Sequence, residues 1–448
     1  MSNIAAVKGY MSRRQPNEYS QILTAVQGRV KDDCWEIIGG STSPDRRDRL
    51  LAFIMKELED NGYFTEQYAG QELAERLYND IDRYSILTPY LSAEDVEEIN
   101  INAWNDVQIK YCDGRTEKAE HFLSPRHAED VVKRLLQESG TVLDNAVPVA
   151  EGRIGGNIRI TAVKTPVLDE TVGVCASIRI LQKRTFRQEQ YLETGFASQK
   201  ELDFLALALR YGVSTLIVGR VSSGKTTFEN YLLSTIPDEK KIVTIESGAR
   251  ELNLVKTGEQ GEILNNVVHL LARPKETPEQ NISQEKLVVA TLRLAPDVIS
   301  VAEMRDTEAY AAQEASLTGH TVVSTLHAGS PRQAHQRIAS LCRKVYPVDF
   351  HTALLQACEA FPLVVFIHQG EDYVRRILEV AEAVVDGERI TYRTLFRFDV
   401  QDNQTVGGKT VIQGSHRQAA GPSEQLKQTM MLYGVPRPLL DSFDLENS

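Results

Sequence analysis

Apolar residues recur at helical spacing in the first part of the chain. Two groups of them follow the three-to-four-residue period of a single helix face. They are Leu50, Leu51, Ile54 and Leu58, followed by Leu73, Leu77 and Ile81. The pattern predicts a helical N-terminal segment over residues 1–88.

After residue 89 the pattern changes to the alternation of half-buried strands. Strands are predicted at Val96–Asn102, Val107–Tyr111, Arg153–Val163 and Val172–Ile180. Between the second and third strands, Ser124 can cap a helix whose first turn tolerates Pro125. We therefore predict a small α+β domain over residues 89–183 and a polar linker over residues 184–200.

Beyond residue 200, short and nearly continuous apolar runs alternate with helical stretches. The runs are Ser214–Val218, Lys241–Ile245, Val298–Ala302, Thr321–Thr325 and Leu363–Ile367. Such runs are typical of a parallel sheet covered on both faces, so residues 201–448 are predicted to form an α/β domain. Near its end, Asp386-Gly387 predicts a hairpin between Ile377–Val384 and Arg389–Phe398, whereas Gln401–Gln425 is expected to be loose.

The composition narrows the functional class. The net charge of −12 argues against a nucleic-acid-binding protein, which needs a basic surface. No apolar run reaches the roughly 18 residues of a membrane span, and the N-terminus has no apolar core typical of a secretory signal. The five cysteines form no CxxC pair, which favours a reducing cytosol over a disulfide framework or a zinc ribbon.

The strongest chemical motif runs from Gly219 to Thr226, GRVSSGKT, between a predicted strand and a predicted helix. It fits the phosphate-binding P-loop pattern, in which glycines let successive amides point at phosphate oxygens. The predicted nucleotide-binding residues are Gly219, Ser222, Ser223, Gly224, Lys225, Thr226 and Thr227. Lys225 would reach the β- and γ-phosphates of ATP, and the Thr226 hydroxyl would bind Mg²⁺. A chance glycine-rich turn is the alternative.

Three further strands are predicted to end in side chains that could serve such a site. Glu303 follows a buried strand, and ligands bind at the carboxyl ends of strands in open α/β sheets, so it would polarise the attacking water directly or through Mg²⁺. Glu246, with Glu251 after it, and His327, with His320 before its strand, are the other candidates. Solvated strand-end acids and structural histidines remain the alternatives for these residues.

At this point the sequence resembles the type II/type IV secretion and pilus-assembly ATPases. Four blocks match in order: the P-loop, Thr244–Leu252, Leu292–Arg305 and Leu317–Pro331. The smaller domain is similar to the family's regulatory domain over Val142–Pro148 and the segments that contain Arg153 and Arg159. The C-terminal hairpin, followed by Leu432–Val435, resembles the Tad/Flp-pilus branch.

The resemblance implies a RecA-like ATPase domain preceded by the α+β regulatory domain and the helical segment. It implies that the nucleotide lies between the two domains, and that Arg153, Arg159 and Arg179 clamp its phosphates; surface salt bridges are the alternative for these arginines. It further implies a cytoplasmic homohexamer that meets the inner membrane through a platform protein, with no direct nucleic-acid partner.

The sequence also departs from the family pattern. Arg220-Val221 stands in the P-loop where relatives have small residues, Ser247 replaces an aspartate, and Ala295 and Ala302 replace arginine and glycine. These departures support one rival, a nucleotide-binding regulatory subunit that does not hydrolyse ATP. The other rivals are a conjugative or effector-secretion motor with the same chemistry, and a DNA helicase, which the acidic charge disfavours.

Overall fold

The computed structural model describes residues 16–33, 45–155, 157–181, 186–248, 250–273 and 280–445. The chain divides into two compact units, Met1–Gln182 and Lys183–Ser448. In the described part of the chain, no helix combines the length and apolar composition that a membrane span needs.

The first unit begins with helices. They are α1 (Tyr19–Asp33), α2 (Asp45–Asn61), α3 (Gly70–Asp82), a 3₁₀ turn (Ser85–Leu87) and α4 (Thr88–Leu91). Leu50, Ile54 and Leu58 of α2 pack with Leu73 and Leu77 of α3 in a fully apolar core. The described residues 16–33 and 45–88 are largely helical, and the rest of the predicted helical segment, 1–15 and 34–44, lies outside the described residues.

The rest of the first unit is an antiparallel sheet covered by one long helix. The strands are β1 (Val96–Ala103), β2 (Asp106–Tyr111), β3 (Thr116–Lys118), β4 (Val149–Ile154), β5 (Ile158–Lys164) and β6 (Val174–Ile180), in the order β3-β2-β1-β6-β5-β4. Helix α5 (Pro125–Glu138) starts where the sequence predicts, because the Ser124 side chain accepts a hydrogen bond from His127 N. The predicted strand Arg153–Val163 is instead two strands, since Gly155, at φ +58°, turns the chain between them.

The second unit is built on a nine-stranded mixed sheet of order β15-β14-β13-β12-β7-β11-β10-β8-β9. Its strands are β7 (Thr215–Gly219), β8 (Ile242–Ser247), β9 (Val267–Ala272), β10 (Val298–Glu303), β11 (Thr321–Leu326), β12 (Leu363–Gln369), β13 (Arg375–Asp386), β14 (Arg389–Val406) and β15 (Lys409–Gln418). Strands β12, β7, β11, β10, β8 and β9 are parallel, and β13 to β15 continue the sheet antiparallel. The predicted parallel α/β sheet is thus confirmed.

Helices cover both faces of this sheet. They are α6 (Gln188–Glu193), α7 (Gln199–Arg210), α8 (Lys225–Ser234), α9 (Gln284–Thr291), α10 (Glu308–Leu317), α11 (Pro331–Val345), α12 (Phe350–Ala360), α13 (Glu424–Leu432) and α14 (Arg437–Asp441). Buried residues on the two faces form two separate apolar cores, one with Phe204 and Phe228 and the other with Ile299 and Phe361.

Two segments differ from their predicted character. Within the predicted linker, Gln188–Glu193 forms helix α6, and Tyr191 lies against Phe196, Phe228 and Tyr231 with ring centroids 4.7–5.9 Å apart across the cluster. The expectation that Gln401–Gln425 is loose is wrong, because most of it belongs to the paired strands β14 and β15 and to helix α13.

Candidate active site

The P-loop joins strand β7 to helix α8, and its two glycines are required by geometry. A Cβ atom at Gly219 would overlap the carbonyl of Ile367 on the neighbouring strand and lie 2.6 Å from Ser223 Oγ. Gly224 has φ +92°, a left-handed conformation that disfavours any side chain. The backbone therefore curls closely around the space at the N-terminus of α8, where amides and the helix dipole favour an anion.

Lys225, the first residue of α8, turns its side chain back into this curl. Its Nζ donates to the carbonyl oxygens of Gly219 at 3.3 Å and Arg220 at 2.8 Å, and only 7% of the residue is exposed. The Ser223 Oγ is buried without a hydrogen-bond partner among the described residues. The Lys225 ammonium group, the Ser223 hydroxyl and the N-terminus of α8 together fit the phosphate chain of a nucleotide.

Strand topology brings the predicted acid and histidine to the same edge as the P-loop. Strand β11 lies between β7 and β10, so the residue that follows β11 and the residue that ends β10 lie side by side. His327 Nδ1 is 3.2 Å from both Lys225 Nζ and Gly219 O, and His327 Nε2 is 3.0 Å from Glu303 Oε1. Nδ1 accepts from Lys225 Nζ when it carries no proton, whereas Glu303 Oε1, although close to Nε2, is buried without a hydrogen bond among the described residues.

The carboxylate of Glu303 is held ionised. Burial opposes its ionisation, but the guanidinium of Arg305, which forms an ion pair with Oε2, together with His327 and Lys225, outweighs burial and lowers the pKa of Glu303. Burial and the nearby Lys225 ammonium lower the pKa of His327, so its imidazole is neutral near pH 7. The result is a continuous chain of polar contacts, Lys225–His327–Glu303–Arg305.

Glu246 lies at the end of β8, and it accepts hydrogen bonds from the backbone of the segment that follows this strand. Its Oε1 accepts hydrogen bonds from Glu251 N at 2.6 Å and Leu252 N at 3.0 Å, and His269 Nδ1 lies 3.9 Å from Oε2. Burial raises the pKa of Glu246. Among the described residues, the hydrogen bonds of Glu246 thus connect it to the segment after β8.

The remaining predicted residues fall into two groups. Ser222 and Ser223 lie in the loop, while Thr226 and Thr227 lie in the first turn of α8. His320 precedes the first residue of β11 and His327 follows its last, so the two histidines lie at opposite edges of the sheet. Only His327 is placed to contact the P-loop.

The three predicted arginines lie in the first unit, in one row across three strands. Arg153 on β4 is directly opposite Arg159 on β5, which is directly opposite Arg179 on β6. Residues opposite each other in an antiparallel sheet point to the same face. The fold therefore concentrates three guanidinium groups on one surface.

Sequence reasoning missed three residues around the P-loop. Arg305 pairs with Glu303, and Arg375 on β13 donates its Nε to Ser222 O at 3.0 Å. Glu229, one turn after Lys225 on α8, is fully buried and accepts a hydrogen bond from Ser300 Oγ at 2.8 Å. Burial raises the pKa of Glu229 well above its usual range, and its hydrogen bond with Ser300 connects α8 to β10. Its position four residues after Lys225, on the buried helix face, is a signal that the sequence did contain.

The fold and this geometry define a P-loop protein of the α/β class, with a strand-end glutamate beside the loop. Residues 124–365, more than half of the chain, match the family described as "Type II/IV secretion system protein". The chain belongs to this family. The match spans the helix α5, the arginine row, the P-loop and the Glu303 and His327 strands.

Individual relatives agree with this assignment. A type IV secretion system protein PtlH homolog of Bordetella bronchiseptica is 28% identical over 66% of this chain and 92% of its own length. A putative conjugal transfer protein of Mycobacterium tuberculosis is 26% identical over 68% of this chain and 86% of its own length. Protein VirB11 of Rhizobium radiobacter is 33% identical over 31% of this chain and 38% of its own length.

Solved structures with some likeness include two ATPases. The ATPase DotB of Legionella pneumophila has 17% identity, a TM-score of 0.47, and covers 80% of this chain and 85% of its own. The VirB11 ATPase of Brucella suis has 22% identity, a TM-score of 0.34, and covers 66% of this chain and 95% of its own. The assignment to the family rests on the sequence match alone.

Proposed function

We propose that this chain is a cytoplasmic ATPase that hydrolyses ATP to power pilus assembly or protein secretion. The observation that carries the proposal is the contact chain from the P-loop lysine through His327 to the ionised Glu303, in a member of the secretion family. A P-loop alone binds nucleotide, whereas a P-loop connected to a strand-end carboxylate is equipped to hydrolyse it.

Each residue of the site then has a defined task. The loop amides and Lys225 bind the phosphates, and the Thr226 hydroxyl would hold Mg²⁺, which would neutralise negative charge on the phosphate oxygens. Glu303 orients the attacking water, and His327 lies between Glu303 Oε1 and Lys225 Nζ. Glu246 is proposed as a second acid that shapes the segment after β8, through its bonds to Glu251 and Leu252.

The arginine row supports phosphate binding by a different route. Like charges directly opposite each other on neighbouring strands are unfavourable, and a multivalent anion relieves this repulsion. Guanidinium groups bind phosphate oxygens bidentately. We therefore assign Arg153, Arg159 and Arg179 to the nucleotide phosphates.

Assembly and partners are proposed from the family. We propose a homohexamer that is peripheral at the inner face of the cell membrane and works on an inner-membrane platform protein. Resemblance of the C-terminal hairpin supports a pilus of the Tad/Flp kind. The second candidate, a conjugative or effector-secretion motor, is favoured by two of the relatives, a type IV secretion system protein and a putative conjugal transfer protein.

ATP turnover by the purified chain tests the proposal, with Lys225→Ala and Glu303→Gln beside the parent. Lys225→Ala is expected to lose both nucleotide binding and turnover. Glu303→Gln is expected to keep binding and lose turnover by about 100-fold or more, because the amide no longer orients and polarises water as the carboxylate does. Lys240→Ala is the matched control, since Lys240 pairs with Asp297 at the opposite edge of the sheet.

One outcome would replace the proposal. Nucleotide binding by the parent without turnover, even with membranes that contain the partner proteins, would indicate the regulatory subunit that does not hydrolyse ATP. Genes beside this one would separate the two motor readings: prepilin peptidase and pilins for a pilus, relaxase and coupling protein for conjugation.

A further inference from the structure

The start of strand β13 lies beside the P-loop. Strand β12 pairs with the P-loop strand, with Ile367 opposite Gly219, and the turn after β12 leads directly to Arg375. The Nε of Arg375 donates to Ser222 O at 3.0 Å. Its Cδ lies only 3.1 Å from the position that a Cβ atom on Gly224 would take. One side chain thus contacts both ends of the bend formed by Ser222, Ser223 and Gly224.

This bend is strained. Ser222 has φ +61°, in the left-handed region that residues with a Cβ atom rarely occupy, and Gly224 follows at φ +92°. A serine remains in this conformation only when its surroundings hold it there. A hydrogen bond from a charged guanidinium to the Ser222 carbonyl is stronger than a neutral one, and it acts on the strained residue itself.

The neighbouring arginine keeps the turn in shape. Arg376 forms an ion pair with Asp372 at 2.6 Å, and its Nη2 lies 3.5 Å from Ile412 O on β15. Successive strand residues point to opposite faces, so Arg376 secures the turn while Arg375 contacts the P-loop. The two adjacent arginines therefore have separate tasks.

We propose that Arg375 is a positioning residue of the nucleotide site, which holds the Ser222–Gly224 bend in its phosphate-binding shape before nucleotide arrives. The proposal rests on the proposed function and deepens it. It assigns to the C-terminal part of the sheet a role in preorganising the loop, and preorganisation increases affinity by reducing the ordering that binding requires. Lysine cannot replace Arg375, because its side chain has no donor at the depth of Nε.

Hydrogen exchange of the loop amides, without nucleotide, is the direct test. In Arg375→Ala and Arg375→Lys, the peptide that contains Val221 to Gly224 should exchange at least about fivefold faster than in the parent, because the strained bend opens more often. Arg393→Ala is the matched control, since its Nε donates to Gly421 O at 2.7 Å from the adjacent strand of the same sheet. Parent-like loop exchange in either Arg375 variant would overturn the proposal, and so would an equal increase in the control.

Nucleotide affinity provides a second readout, which a general loss of stability would not reproduce. Both Arg375 variants should bind ATP and ADP about tenfold more weakly, with kcat at saturating ATP within about threefold of the parent. A loss of kcat at unchanged KM would contradict a positioning role. If the parent binds no nucleotide, the proposed function fails, while loop exchange still decides the role of Arg375. Should the alanine variant fail to fold, the lysine variant alone gives the same decision.

Discussion

At the scale of single residues, the role proposed for Glu303 depends on the charge of its carboxylate. Its carboxylate is substantially buried, which by itself would favour the protonated acid. The ion pair with Arg305, two residues further along the chain, is the largest influence that keeps it ionised. Arg305 therefore affects the ionisation of Glu303, although it contacts the acid and not the loop.

Replacing Arg305 should shift the pH dependence of ATP turnover. Arg305 lowers the pKa of Glu303, so Arg305→Ala raises that pKa and moves the acidic limb of the kcat–pH profile to higher pH. Arg305→Lys should retain most of the effect, because it preserves the positive charge. Profiles of kcat between pH 5 and pH 8 would measure this, and an unshifted acidic limb in Arg305→Ala would contradict the assignment.

Much of the site was accessible from spacing alone, and the reasons for the omissions are physical. The P-loop residues, Glu303 and His327 could be predicted because short motifs and strand ends fix their positions along the chain. Arg375 could not be predicted, because it contacts the loop only through the pairing of β12 with β7. Local sequence does not determine the order of strands in a sheet. His320 and His327 were predicted to flank the same strand, and the strand's direction puts only His327 at the P-loop edge of the sheet.

At the scale of elements, the arginine row is a property of the sheet and not of any one strand. Register places Arg153, Arg159 and Arg179 opposite one another, and Glu98 on β1 continues the row beside Arg179. The alternate residues Ile154, Ile160 and Ile178 point into the apolar core. A shift of one residue in register would bury the arginines, so the apolar face also fixes the position of the charged one.

Removing the central arginine should separate binding from stability. Arg159→Met is expected to weaken ATP binding about tenfold, because charge-assisted contacts to phosphate are lost, and to leave the nucleotide-free protein folded, because the long apolar side chain keeps the strand's packing. Isothermal titration and thermal unfolding measure the two effects. Arg126→Met, at an exposed position of α5 in the same unit, is the control. Unchanged ATP affinity in Arg159→Met would refute the phosphate role of the row.

The hairpin of β14 and β15 shows why residues 401–425 were wrongly expected to be loose. Residues 399–406 of β14 are almost all exposed, so the ribbon has no buried face and no alternation of apolar and polar residues. A turn signal was present nevertheless: Gly407 and Gly408 have φ +58° and +78°, as a tight hairpin turn requires. Backbone pairing between β14 and β15, such as Asn403 with Ile412, forms the element without the help of a core.

At the scale of the whole molecule, the fold class was predictable because the apolar runs are long and regular. The connecting helix α6 was not, since its six residues are too few for a periodic signal; Tyr191 is its buried residue, and Leu192 packs beside it. Buried polar groups could not be predicted from the sequence either. His335 on α11 is fully buried, its Nε2 lies 2.8 Å from Phe361 O, and its Nδ1 lies 3.1 Å from the Tyr392 hydroxyl.

This buried histidine should make the stability of the protein depend on acidity. Burial lowers the pKa of His335 to about 4, whereas the unfolded chain titrates near 6.5, so between these values the unfolded state binds more protons and stability falls as the pH falls. Between pH 7 and pH 5 the parent should lose about 2 kcal/mol more unfolding free energy than His335→Gln, measured by urea titration at 25 °C. Tyr392→Phe, which removes a contact and keeps the imidazole, should retain the parent's pH dependence. Equal losses in the parent and His335→Gln would show that this histidine is not held neutral by the core.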